Sequence, residues 1–210
     1  MGHREKYFIN GEEAPSVTTI LNVVRKPFLE TWRGKLGNAE CDRIVAESQE
    51  LGHRFHEAIE AFYQGHELPE LPQREAEMFA LFRGWALESK FEPMELELHL
   101  ESKKYLYHGT VDTFGRFEDG VIVAGDWKTS SSINDDYGMQ LAAYAEAYNE
   151  TTGSNVTEGF ILRVDKKPGA KKPIEIKRFT NLPKYFEAFM HCKSIYDFVN
   201  KKGAWKSEPT

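Results

Sequence analysis

An aspartate and a lysine stand two positions apart at the end of an apolar run, in the stretch GVIVAGDWKTS. Side chains alternate between the two faces of a β-strand, so Asp126 and Lys128 share one face and Trp127 points to the other. A carboxylate beside an ammonium group is either a weak surface ion pair at a strand end or part of a reaction centre. These residues alone leave both interpretations open.

A second acid, Asp112, precedes Asp126 by fourteen positions, and the turn at residues 118–120 separates them. If the two segments pair as strands about 4.8 Å apart, both carboxylates come within reach of one ion. Two neighbouring carboxylates repel each other, so the pair calls for a cation, and hard oxygen ligands suit Mg²⁺ or Mn²⁺. Lys128 would then orient or deprotonate a water molecule, or stabilise negative charge developing on a phosphate.

Helices dominate the first 90 residues. Asn10 and Gly11 predict the turn of a short hairpin, and Ser16 predicts the cap of a helix that Pro27 ends. Apolar residues at helical spacing then predict helices over about 38–63 and about 73–89.

Strands follow in three segments, MELELHLES, YLYHGTVDTFGRF and GVIVAGDWK, which predict an antiparallel meander. A helix is expected over about 134–150, stopped near Gly153. The segments VTEGFILRV and PIEIKRF predict two more strands, 182–199 predicts a last helix, and 203–210 predicts a tail. The order predicts an α/β (α+β) fold with a central mixed sheet flanked by helices.

Three motifs occur in order along the chain. Asp112 ends a G-x-x-D motif, Asp126 and Lys128 form D-x-K, and Gln140 and Tyr144 form Q-x-x-x-Y on the following helix. This order resembles the PD-(D/E)xK nuclease superfamily. Upstream, the pattern G-x-x-x-H-x-x-x-E and the segment PSVTTIL are similar to its RecB-like branch, which includes phage exonucleases and the mitochondrial genome maintenance exonuclease.

The resemblance implies a role for each matching residue. It implies metal ligation by His56, Asp112, Asp126 and the backbone carbonyl of Trp127, and a catalytic set of Asp112, Asp126, Lys128, Gln140 and Tyr144. It also implies a restriction-endonuclease-like core in a single domain, 1–210, with a mainly helical part (about 1–90) that carries His56. The catalytic sheet and helix then occupy about 91–180, and the C-terminal helix about 181–200. The cofactor is expected to be Mg²⁺ or Mn²⁺, with no iron–sulfur cluster and no nucleotide.

Several assignments keep alternatives. His56 could instead be a core histidine, and His53 is a rival ligand. Glu60 is a candidate supporting acid, as is a glutamate of the preceding strand, either Glu97 or Glu95. Four lysines, Lys166, Lys167, Lys171 and Lys172, are either a solvated hairpin or contacts to a DNA backbone.

Composition limits the class of protein. With 40% hydrophobic and 29% charged residues, the chain is typical of a globular protein. The net charge of -6 argues against nucleic-acid binding by general basicity but allows a local site where metal reverses the sign. Cys41 and Cys192 lack the spacing of a metal site and are expected to be buried free thiols. The absence of a long apolar run and of a signal-peptide core predicts no membrane association and an intracellular protein, and the resemblance implies a bacterium or a phage-infected host.

We expect a divalent-metal-dependent DNA exonuclease that acts in phage-type or recombination and repair processing. Its partners would be single- or double-stranded DNA ends, with a recombination or single-strand-binding protein and an oligomer as further possibilities. The alternatives are a structure-specific endonuclease, which would cut closed circles, and a catalytically silent DNA-binding or assembly subunit. A silent subunit has no physical need to keep two repelling acids beside a lysine.

Overall fold

A computed structural model of the chain describes residues 6–24 and 26–200, so the predicted tail at 203–210 lies outside the described residues. The chain begins with a hairpin of β1 (Phe8–Ile9) and β2 (Glu12–Glu13). Asn10 and Gly11 form its turn with φ angles of 53° and 82°, the positive values that a tight hairpin requires. The predicted turn is confirmed.

The first helix is shorter than the sequence predicted. Helix α1 (Val17–Leu21) starts at the predicted cap, where the Ser16 hydroxyl accepts a hydrogen bond from the Thr19 amide at 3.2 Å. Pro27 does not end this helix and instead begins α2 (Pro27–Leu36). That prediction was wrong because proline is compatible with the first turn of a helix as well as with a helix end. The N–H group that proline lacks has no partner within the helix at a first-turn position.

Two long helices form one outer layer. Helix α3 (Asn38–Gln64) and helix α4 (Gln73–Ser89) confirm the predicted helices. Their buried side chains, including Phe55, Ile59 and Phe82, pack against one face of the sheet. This packing places the face of α3 that carries His56 over the sheet.

A five-stranded sheet forms the middle layer. Its strands, in spatial order, are β3 (Glu92–Ser102), β4 (Tyr107–Arg116), β5 (Ile122–Lys128), β6 (Glu158–Val164) and β7 (Ile174–Phe179). Strands β5 and β6 are parallel, with α5 (Asp136–Thr152) as the crossover, and the other neighbours are antiparallel. The sheet is therefore mixed, and its first three strands are the predicted meander.

The opposite layer contains α5, α6 (Leu182–Asn200) and α1, which share a second hydrophobic cluster on the other sheet face. Helices on both faces of a mixed sheet confirm the predicted fold class. Cys41 and Cys192 are buried free thiols, as expected. Within residues 6–24 and 26–200, no helix has both the length and the hydrophobicity needed to cross a bilayer.

Candidate active site

Three acidic residues lie side by side on three adjacent strands. The register pairs the neighbours of Glu97 on β3 with the neighbours of Asp112 on β4. It also pairs Thr113 with Gly125, so Asp126 is the next residue of β5 opposite Asp112. Facing residues of antiparallel strands project to the same side of a sheet. The row therefore brings together carboxylates that lie far apart in the sequence.

The backbone pairing between β4 and β5 ends at the row of Glu97, Asp112 and Asp126. Beyond the Thr113–Gly125 pair, the Trp127 amide donates a hydrogen bond of 2.6 Å to the Asp112 carboxylate. A side chain has replaced a backbone carbonyl as the acceptor, which satisfies the amide while the strands separate. Asp112 is thereby fixed at the carboxyl end of β5, which is a common position for ligand sites in sheets with parallel strands.

His56 reaches this row from α3. Its Nδ1 atom lies 3.6 Å from Asp112 Oδ2 and 3.8 Å from Glu97 Oε1, and its Nε2 atom lies 3.0 Å from the Trp127 carbonyl oxygen. Among the described residues, His56, Glu97 and Asp112 form a group whose ligand atoms all lie within 4.8 Å of one another. This arrangement selects Glu97 over Glu95 as the glutamate beside the site, since Glu95 lines a separate cleft.

The backbone of Glu97 adopts an uncommon conformation. Its φ angle is 46°, in the left-handed region that non-glycine residues rarely occupy. A register shift between Pro93 and Glu95 disturbs the same strand just before it. Strained residues of this kind cluster at functional sites, where the surrounding structure holds them in place.

The charge of His56 responds to its two acidic neighbours. Burial lowers the pKa of its imidazole, but Asp112 and Glu97 outweigh this effect and raise the pKa to about 9. The imidazolium form of His56 is therefore stabilised beside the two carboxylates. A cation is electrostatically favourable at this position.

Asp126 and Lys128 form an ion pair at the end of β5. The carboxylate is 1% exposed, and burial together with Asp112 raises its pKa to about 6. Burial lowers the pKa of Lys128, but Asp126 and Asp112 together raise it by more than burial lowers it. The ammonium form is therefore stabilised. The shared face predicted for this pair is confirmed. Asp126 is turned toward Lys128 and does not belong to the His56 group, so its role as a metal ligand stays a prediction.

Trp127 points to the opposite side of the sheet. Its indole is 1% exposed and packs against Phe82, Trp85 and Phe160. Its side chain thus belongs to the core while its carbonyl lies beside His56. The predicted division between side chain and carbonyl agrees with this geometry.

Helix α5 covers the lysine. Gln140 donates a hydrogen bond of 3.1 Å to the Tyr144 hydroxyl, and burial followed by Asp126 raises the pKa of that phenol. The Lys128 ammonium also lies 5.1 Å from the centre of the Tyr137 ring. Tyr137 was not predicted, although it precedes Gln140 by three positions and Tyr144 by seven and so shares their helix face.

A cleft of ≈ 400 Å³ opens at the row of acids and is lined by Gly52, His53, His56, Glu57, Glu60 and Glu97. Glu60 is therefore near the ligand group. His53 is exposed and lies 3.1 Å from Glu57, outside that group. Of the four predicted DNA-contacting lysines, Lys166 bonds to Ser48 of α3, and the other three are exposed in the loop between β6 and β7.

No family model and no curated protein matches the chain. Among solved structures, the crystal structure of SSO0001 is similar at a TM-score of 0.45 and 15% identity, over 90% of this chain and 76% of that one. A candidate exonuclease from Eubacterium rectale is similar at a TM-score of 0.49 and 13% identity, over 77% of this chain and 69% of that one. Similarities this distant carry no argument about activity, which must rest on the site.

Proposed function

We propose that this chain is a divalent-metal-dependent deoxyribonuclease that hydrolyses phosphodiester bonds, acting as an exonuclease. The observation that carries the proposal is the group of His56, Glu97 and Asp112 beside the buried Asp126–Lys128 pair. Ligands for a hard cation and a fixed ammonium group are what phosphodiester hydrolysis requires from a protein. The order of the sequence motifs supports an exonuclease over an endonuclease.

The residues present fit a divalent cation. Two carboxylates, one imidazole and the Trp127 carbonyl supply oxygen and nitrogen ligands, which suit Mg²⁺ or Mn²⁺. His56, Glu97, Asp112 and Trp127 would hold the ion, with Asp126 as a further ligand. A bound ion of this kind polarises a phosphodiester oxygen and lowers the pKa of a coordinated water molecule.

The positive charge of Lys128 indicates its role in the proposed reaction. Because its acidic neighbours stabilise the ammonium form, it suits the stabilisation of negative charge on the phosphate better than the removal of a proton from water. Asp126 fixes the position of the ammonium group from one side, and the Tyr137 ring lies on another. Gln140 and Tyr144 close the site on the α5 side, where they can contact the substrate backbone or hold Lys128 in place.

The biological setting belongs to the same proposal. We propose that the enzyme acts inside a cell, on single- or double-stranded DNA ends during phage-type or recombination-associated DNA processing. The resemblance of the motifs to those of phage exonucleases in the RecB-like branch supports this setting. A structure-specific endonuclease is the alternative within the same chemistry.

The test compares cleavage of labelled linear and circular DNA, single- and double-stranded, with Mg²⁺, with Mn²⁺ and with chelator. Lys128→Ala should lower the cleavage rate by about 10²–10³-fold, the cost of removing one group that stabilises a developing charge. Lys184→Ala, which removes an exposed lysine of α6, is the matched control and should cleave at the wild-type rate. Circular dichroism checks that each variant is folded.

Each outcome bears on a different part of the proposal. Cleavage confined to linear DNA supports an exonuclease, and cleavage of closed circles supports the endonuclease alternative. Equal rates for wild type and Lys128→Ala would remove the lysine from the mechanism. No cleavage of any substrate with either metal would reject the enzymatic function.

A further inference from the structure

The loop between β6 and β7 has the sequence KKPGAKK at residues 166–172, called here the lysine loop. It contains four lysines and no acidic residue, and Lys167, Lys171 and Lys172 are exposed. We propose that the lysine loop is a preorganised ledge that binds the phosphate backbone of a DNA strand several nucleotides from the scissile bond. This inference rests on the proposed nuclease function and identifies how that site holds its substrate.

A buried arginine pairs with both acids that flank the loop and offsets one of their two negative charges. Arg163 is 2% exposed and forms ion pairs of 3.0 Å with Asp165 and 3.1 Å with Glu175. Both carboxylates therefore have a cationic partner at the base of the loop. The exposed lysines face the solvent as unbalanced positive charge, although the whole chain carries a net charge of -6.

The loop is anchored by its backbone. The guanidinium group of Arg74 donates hydrogen bonds of 2.6, 2.8 and 2.9 Å to the carbonyls of residues 165, 166 and 167. At the other end, Arg163 donates a hydrogen bond of 2.9 Å to the carbonyl of Lys172. A loop held at both ends loses less conformational entropy when a ligand binds. The lysines are thus presented on a fixed support.

Helix α3 connects the ledge to the proposed metal ligands and so sets the distance between them. Lys166 donates a hydrogen bond of 2.6 Å to the Ser48 hydroxyl. Ser48, Gly52 and His56 are spaced by four residues and so lie on one face of the helix. At about 1.5 Å per residue, Ser48 lies about 12 Å from His56 along the helix axis. This distance corresponds to about three to four nucleotides of one B-form strand.

The charges along α3 define the direction of the strand. On the Ser48 side, Arg43 pairs with Glu40 and Glu47 and Arg54 pairs with Glu50 and Glu75, so the lysine loop itself supplies the excess positive charge. On the other side of His56, Glu57 and Glu60 line the cleft. A polyanion leaving the metal ligands is therefore attracted toward the lysine loop and repelled in the opposite direction.

The experiment measures DNA binding separately from cleavage. Lys167→Gln, Lys171→Gln and Lys172→Gln are combined in one variant, and Lys90→Gln, Lys103→Gln and Lys184→Gln are combined in the control, which removes the same number of exposed positive charges elsewhere. Both are made in the Lys128→Ala background, so that labelled DNA is cleaved about 10²–10³-fold more slowly during the measurement with Mn²⁺. Fluorescence anisotropy gives affinity against salt concentration for single strands of about 2 to about 12 nucleotides, a range that brackets the expected distance to the ledge.

The loop variant should bind the longest strand about 10–100-fold more weakly at low salt, because three phosphate contacts at about 0.7 each reduce the salt slope by about 2. Strands too short to reach the ledge should bind both triple variants equally. Equal weakening by the loop variant and the control would overturn the ledge, as would a loss at every strand length or no binding by the parent protein. If the binding pattern appears but no substrate is ever cleaved, the ledge stands and the nuclease function fails.

Discussion

Replacing Glu97 by glycine should separate the stability of the fold from metal binding, because the residue is conformationally strained and lies among the proposed metal ligands. Its φ angle of 46° is unfavourable for any residue with a Cβ atom. Its carboxylate lies 3.8 Å from His56 Nδ1. Glu95→Gly is the matched control, since Glu95 lies on the same strand but not in the group of metal ligands.

The expected difference in the free energy of unfolding comes from the terms that the two variants do not share. Each substitution introduces a glycine into a strand at a cost of about 0.5–1 kcal/mol, which cancels in the comparison. Glu97→Gly also removes about 1–2 kcal/mol of left-handed strain, and it loses a partly exposed ion pair worth about 0–1 kcal/mol. Without metal, Glu97→Gly should therefore be more stable than Glu95→Gly by about 1 kcal/mol. For a chain of this length the melting temperatures should differ by about 2–4 °C.

Adding Mn²⁺ should make Glu97→Gly the less stable of the two variants. At a metal concentration of about 100 times Kd, binding stabilises a folded protein by about 2.7 kcal/mol. Loss of a ligand carboxylate should weaken binding at least about tenfold, which removes about 1.4 kcal/mol or more of this stabilisation in Glu97→Gly. The assay is thermal unfolding followed by circular dichroism, with chelator and with Mn²⁺. A lower stability of Glu97→Gly than of Glu95→Gly in chelator would contradict the strain at residue 97, and an equal gain of both variants from Mn²⁺ would contradict the ligand role of Glu97.

Two further predictions concern packing and pH. A Cβ atom at Gly125 would lie 2.6 Å from the Phe160 ring, so Gly125→Ala should lower the free energy of unfolding by about 1–3 kcal/mol in urea denaturation. Gly52→Ala, in the interior of α3 with room for a methyl group, should instead raise it by about 0.5–1 kcal/mol. Burial lowers the pKa of His108, so the unfolded chain takes up its proton at a higher pH than the folded protein does. His108 should therefore contribute a loss of stability as the pH falls below about 6.5, and His108→Gln should gain stability relative to the wild type over that interval; a stability difference that does not change with pH would contradict this account.

The fold could be predicted from the sequence wherever local patterns repeat. Helix α3 carries apolar residues at helical spacing along its length, and the meander has clear turns at 118–120 and near 103, so both were predicted correctly. The end of α1 was not, because Pro27 is compatible with the start of a helix as well as with the end of one. A local signal with two physical explanations needs the tertiary structure to decide between them.

Less of the candidate site than of the fold could be predicted from the sequence. Asp126 and Lys128 are two positions apart, so strand alternation alone places them together. The choice between Glu95 and Glu97 depends on a register shift and on one backbone angle, neither of which has a signature in the segment MELELHLES. Tyr137 could have been found, since its spacing from Gln140 and Tyr144 marks the face of α5 that covers Lys128.

The row of acids gives the proposed nuclease function a requirement for a cation. Glu97, Asp112 and Asp126 contribute three negative charges near pH 7, and protonated His56 and Lys128 offset two of them. A phosphodiester group approaching the metal-free site therefore meets a net negative charge in a region of low dielectric constant, where repulsion is strong. A divalent cation held by His56, Glu97 and Asp112 raises the net charge to zero or above, even if the imidazole loses its proton. In the proposed function, these acids would repel DNA in the absence of a cation, so DNA binding should depend on metal binding.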